Sequence, residues 1–224
     1  MKDLKIQINV SSDTYLRDPN GSNLGRKIIS NGIDLIDELG FEGFTFKKLG
    51  KKIGSPESSI YRYFESKHML LVYLTNWYWS WIEYKLVFST INLSSSEQKL
   101  EKAIKILTES TKKDDLFSHI NGAALDRIIM NEGGKTYHIK EVDAENKKGY
   151  FKVYEQVVKR VSEIVLELNP KYQYPHMLIT TVIEGAYLQS FFAEHIPTLT
   201  DVDDKHKSII SEFYTKLVFN AIKY

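Results

Sequence analysis

Residues 41–71 read FEGFTFKKLGKKIGSPESSIYRYFESKHMLL, and the fold turns on how this stretch is punctuated. Phe46, Leu49 and Ile53 mark a short helix, with Thr45 placed to cap its start. Gly54 breaks the pattern. Ser55 and Pro56 then fit the N-cap and first residue of another short helix. Ile60 and Phe64, four apart, give that helix a buried side, and Ser58, Ser59, Tyr61 and Arg62 give it a polar one. Ser66 is the next N-cap. It opens a long helix over residues 67–89, ~35 Å at 1.5 Å per residue. Two short helices about a glycine, inside a three-helix pattern, have the spacing of a helix-turn-helix. The second helix of such a unit is short and polar on one side so that it enters a major groove.

Charge supports this reading locally and not globally. The chain has 224 residues with 30 Lys and Arg against 29 Asp and Glu, a formal net charge of +1. A nucleic-acid surface must therefore come from local concentration. Lys47, Lys48, Lys51 and Lys52 cluster on the first short helix, and Arg62 and Lys67 follow. Taken alone, such a run usually is a solvated face; within the motif it reads as a phosphate-binding surface. The amides at the start of the helix opened by Ser66 offer a further phosphate site beside Lys67.

Composition excludes several classes. The 42% hydrophobic content is that of a folded domain with a sizeable core. Zero cysteines exclude disulfides, thiolate catalysis and cysteine-based zinc sites, and fit a reducing cytoplasm. Residues 1–12 do not read as a signal peptide, because Lys5, Gln7 and Asn9 interrupt any apolar stretch. The most apolar window, 70–82, holds Thr75, Asn76 and Ser80 and falls short of the ~20 residues of a membrane span. A cytoplasmic protein without a membrane partner is expected. The sequons at Asn9, Asn20 and Asn92 are then unmodified.

Working outward, Leu4, Ile6, Ile8 and Val10 alternate with polar residues, which fits a short strand at 4–10 or a disordered tail. Residues 11–22 read as a loop. Leu24, Ile28, Ile29, Ile33, Leu35, Ile36 and Leu39 form a helical stripe that Gly40 ends. Five further helices follow the long one: from a capping box at 94–98 to about 111, 115–132, 142–168, 174–195, and 203 to the C-terminus. The expectation is an all-α protein of about nine helices. Its parts are an extension at 1–22, a helix-turn-helix domain at 23–71 and a helical domain at 72–224.

The stretch resembles the N-terminal domain of the tetracycline-repressor (TetR/AcrR-like) family. Leu49, Gly50, Ile53, Gly54, Ile60, Tyr61, Tyr63, Phe64, Ser66, Lys67 and Leu70 fit the family pattern at fixed spacing, as do Gly40 and Thr45. The match covers about residues 24–71. Ser55 and Pro56 depart from the usual Val and capping Ser, Glu57 lies near the DNA-facing helix start, and the strand-like extension is not general to the family. The resemblance implies phosphate contacts from Thr45 and Lys47, with Lys48 beside them. It implies base contacts from Ser58, Ser59 and Arg62, backbone contacts from Tyr61 and Tyr63, and a phosphate grip by Lys67. Arg62 is the leading candidate for direct readout, since arginine donates twice to guanine.

It further implies a transcriptional regulator, usually a repressor, that leaves a palindromic operator when a small-molecule effector binds. Homodimerisation would run through residues 174–195 and 203–224, where Leu178, Val182, Ile183, Ala186, Phe213, Leu217 and Val218 recur at helical spacing. Sequence does not separate core from interface there. Half-sites would lie ~34–36 Å apart or a multiple of that. A small pendulum shift of the 67–89 helix would change the separation of the two recognition helices. Trp77, Trp81, Phe117, Tyr150, Tyr154 and Tyr187 are candidate pocket residues for a planar or hydrophobic effector, or else core. No cofactor and no metal is expected: the histidines at 68, 119, 138, 176, 195 and 206 form no i+3 or i+4 pair. Gly-x-Ser-x-Gly, His-Glu-x-x-His, P-loop and Gly-x-Gly-x-x-Gly motifs are absent, so catalysis is not expected. A non-specific architectural DNA binder is disfavoured by the near-neutral total charge.

Overall fold

The computed structural model describes residues 8, 10–109, 120–203 and 208–223. Among them are ten α-helices, three 3-10 turns and no strand. The helices are α1 (Asn23–Gly43), α2 (Phe46–Ile53), α3 (Glu57–Tyr61), α4 (Lys67–Thr90), α5 (Ser96–Thr108), α6 (Gly122–Glu132), α7 (Val142–Lys147), α8 (Lys152–Leu168), α9 (Pro175–His195) and α10 (Ile209–Ala221). The all-α expectation holds. Of the alternating stretch at 4–10, only Ile8 and Val10 lie among the described residues.

Local chemistry explains most of the boundaries. The hydroxyl oxygens of Ser22, Thr45, Ser66 and Ser95 accept from the amides of Gly25, Lys48, Met69 and Gln98, three residues on in each case. α1 breaks at Gly40 (φ 69°), and one more turn reaches Gly43. The single helix expected over 142–168 is two, which raises the count from nine to ten. Gly149 takes φ 82° between them, and its amide bonds to the carbonyl of Asn146 at 2.8 Å.

The chain packs as two compact units. The first joins residues 1–80 with 110–152, so α6 and α7 pack with the helix-turn-helix across the boundary at 71/72. Its core holds Ile28, Ile33, Ile36, Leu49, Ile60, Phe64 and Leu70, all essentially fully buried. Each such side chain contributes about 1.5–3 kcal/mol. Residues 70–79 of α4 are buried without exception. Two of the polar side chains there find partners: Asn76 Nδ2 donates to the Val72 carbonyl, and the Tyr78 hydroxyl to Asp126 Oδ1, both at 2.9 Å. α6 is tied to α1 by Arg127, whose guanidinium donates twice to Asp37, at 2.9 and 2.6 Å.

The second unit joins residues 81–109 with 153–224. Leu100, Ile104, Val157, Val161, Ile179, Val182, Ile183 and Val218 fill its core. Arg160 pairs with Glu83, and this hydrogen bond pushes the guanidinium pKa up further. Asn169 Nδ2 donates to the Ile222 carbonyl at 2.9 Å, tying the end of α8 to the end of α10.

Candidate nucleic-acid interface

The turn between α2 and α3 is built on two glycines. Gly54 caps α2 in the left-handed conformation (φ 66°, ψ 37°). The Gly50 carbonyl accepts from Gly54 and, at 2.9 Å, from the Ser55 amide. A Cβ at Gly50 would lie 2.6 Å from the Ser55 carbonyl oxygen, closer than any real side chain tolerates. Glycine at position 50 is therefore what lets the second helix start so close to the first.

The start of α3 differs from expectation. Ser55 does not cap it. Pro56 occupies the N-cap position in extended geometry (φ −61°, ψ 146°), no side chain caps the helix, and α3 begins at Glu57. The physical reason is that Pro56 itself takes an extended ψ, so the helix starts one residue later and Ser55 falls outside the N-cap position.

Thr45, Lys47, Lys48, Ser58, Tyr61 and Arg62 are exposed, and Ser59 is half-buried. Phe46 and Tyr61 meet edge-on with ring centroids 5.0 Å apart, which sets Tyr61 beside the Thr45–Lys47 end of α2. Tyr61 nonetheless stays 48% exposed. Lys48 Nζ donates to the Gly43 carbonyl at 2.7 Å. Arg62 has no carboxylate partner among the described residues.

Two residues of the expected set sit differently. Tyr63 is only 2% exposed, and its hydroxyl lies 2.8 Å from that of Ser22. It is a packing residue on α1, not a surface contact. Lys67 is half-exposed, but its Nζ donates to the Phe41 carbonyl at 3.0 Å and stands 4.6 Å over the Phe41 ring. Glu42 lies 3.9 Å away. Glu42 also pairs with Lys135, whose hydrogen bond lowers the Glu42 pKa, while Glu132 raises that of Lys135. Phe41, Glu42, Glu132 and Lys135 were invisible as partners because some 90 residues separate the two halves of the cluster.

Five of the six candidate pocket aromatics lie among the described residues. Phe117 lies outside the described residues. Trp77 and Tyr150 belong to the first unit, and Trp81, Tyr154 and Tyr187 to the second. Trp77, Trp81 and Tyr150 are buried. The Tyr154 hydroxyl donates to Glu184 at 3.0 Å. The second unit carries a recess of about 270 Å³, but Glu101, Lys105, Glu109, Glu212 and Lys216 line it, with none of these aromatics. Among the described residues no group of carboxylates and histidines could hold a metal, and no helix is long and apolar enough to cross a membrane.

Comparison with known proteins agrees with this geometry. No curated protein matches the chain. Among solved structures, it resembles the superantigen PfiT at 17% identity and TM-score 0.58, over 91% of this chain and 97% of that one. It resembles the TetR family transcriptional regulator PfmR from Thermus thermophilus at 11% identity and TM-score 0.57, over 88% and 99%. A third is AibR in complex with isovaleryl coenzyme A and operator DNA, at 13% identity and TM-score 0.53, over 87% and 98%. At such identities the likeness is one of fold. Residues 28–74 match the profile of bacterial regulatory proteins of the tetR family, a span that covers α2, α3 and most of α1. The N-terminal domain of this chain, over residues 28–74, is thus of the type found in the tetR family of bacterial regulatory proteins.

Proposed function

We propose that the chain is a sequence-specific, DNA-binding transcriptional repressor that acts as a homodimer on a palindromic operator and is released by a small-molecule effector. The observation that carries this reading is the family match at 28–74 lying on a formed helix-turn-helix whose polar side, Ser58, Tyr61 and Arg62, is open to solvent. Fold alone would not suffice, since a protein described as a superantigen shares it. Arg62 would read a base edge. Thr45, Lys47, Lys48 and Tyr61 would hold phosphates, with Ser58 and Ser59 near the bases and Lys67 at the rim.

Exposed apolar side chains support dimerisation through α9 and α10. Met177 and Leu188 on α9 and Phe213 and Leu217 on α10 are large and open to solvent. Such a patch on one chain marks an interaction surface, and a second copy related by a two-fold axis would match a palindrome. The AibR complex holds both operator DNA and an acyl coenzyme A. By analogy this chain would answer to a small organic effector.

Selection from random duplex DNA tests the reading. Enrichment of an inverted repeat supports it. Absence of any enriched sequence at low salt contradicts it.

A further inference from the structure

Residues 11–22, ahead of α1, pack onto the helix-turn-helix. Residues 12–14 form a 3-10 turn in which Thr14 is fully buried. The Pro19 carbonyl oxygen approaches α1 so closely that a Cβ on Gly25 would meet it at 2.1 Å. Asn20 Nδ2 donates to the Tyr73 hydroxyl at 3.2 Å, and Tyr15 packs edge-on against the Tyr73 ring. Between these anchors, the Leu16 amide donates to the Tyr63 carbonyl at 2.8 Å. The strap is thereby fastened to the residue that follows Arg62.

This fastening places one cation. The guanidinium carbon of Arg17 stands 5.4 Å from the centre of the Tyr63 ring, and the residue is exposed. Among the described residues Arg17 has no carboxylate partner. Its neighbour Asp18 turns its carboxylate into its own loop, where Oδ1 accepts from the Asn20 amide at 2.8 Å. Tyr63 therefore lies between two exposed arginines, Arg62 in the chain and Arg17 across its ring. An arginine stacked on a tyrosine keeps its N–H fork free and pre-oriented.

We propose that Arg17 is an additional operator contact: carried by the N-terminal strap, it holds a backbone phosphate beside the one approached by the end of the recognition helix. The inference rests on the DNA-binding reading and extends the binding surface to an element outside the helix-turn-helix. A phosphate contact adds affinity without sequence preference and steepens the salt dependence.

The test measures binding of the full chain to its selected duplex across a salt series, for the native protein and for Arg17→Ala, Arg17→Met and Arg17→Lys. Arg17→Met keeps an unbranched stem against Tyr63 and removes only the charge. The expectation is about five- to tenfold weaker binding at low salt for the Ala and Met variants, with a salt slope flatter by about one, and near-native behaviour for Lys. Native affinity and slope in the Ala and Met variants would overturn the inference and leave the DNA-binding reading intact. Weaker binding with an unchanged slope would also overturn it, by making Arg17 a packing residue on Tyr63. A native chain that binds no duplex would instead bring down the function proposed above.

Discussion

The backbone amide of Phe41 donates to Oε1 of Glu132 at 2.9 Å, across 91 residues of sequence. The bond sits where α1 breaks at Gly40, so a carboxylate at the end of α6 takes up an amide that the broken helix leaves over. Lys135 holds the other carboxylate oxygen at 2.8 Å. Glu132→Ala leaves the amide without this acceptor, a loss of about 1–3 kcal/mol. Thermal unfolding of the variant is expected to fall by about 2–10 °C. An unchanged Tm would show that water replaces the carboxylate at no cost.

Gly50→Ala is expected to abolish operator binding while far-UV circular dichroism retains most of the helix. The added methyl would sit 2.6 Å from the Ser55 carbonyl, so α3 must move away from α2. Gly21→Ala is the matched control. Its methyl would meet nothing closer than 3.6 Å, and binding should stay native. Equal binding by the two variants would contradict the account of the turn.

The two polar ties to α6 should differ in weight. Tyr78 and Asp126 are both buried, so Tyr78→Phe removes a donor from a carboxylate that water does not readily reach. Its cost is expected at about 1–3 kcal/mol. Arg127–Asp37 has shorter contacts but lies exposed, and Arg127→Ala should cost less than about 1 kcal/mol. Urea unfolding of both variants checks the order; the reverse order would mean that burial does not decide here.

Met177→Glu with Phe213→Glu is expected to give a monomer by analytical ultracentrifugation with little loss of helix, because both side chains are exposed on the chain itself. A native chain that is already a monomer would contradict dimerisation, and a variant that remains a dimer would place self-association elsewhere.

What the sequence revealed was local. Thr45 and Ser66 cap their helices as their positions suggest, since capping involves residues three apart. Ser55 failed as a cap because Pro56 is itself extended and takes the N-cap position, one residue beyond it. The break at Gly149 was written as a glycine inside an otherwise helical pattern, and only its positive φ decides the split. Tyr63 read as a surface residue because its cover, Ser22 and the strap at Leu16 and Arg17, comes from 41 or more positions away. For the same reason the candidate aromatics gave no hint that they divide between two units. Nothing in one chain's apolar periodicity distinguishes Val182, which is buried, from Phe213, which is open.

The most direct test of the central claim is the affinity of Arg62→Ala for the selected operator and for unrelated duplexes. Arg62 is exposed and has no ion-pair partner within the protein among the described residues, so its removal leaves the fold alone. The account requires a loss of about 1–3 kcal/mol on the operator, confined to one position of each half-site, with little change on unrelated DNA. Unchanged operator affinity and specificity in a folded Arg62→Ala protein would contradict it.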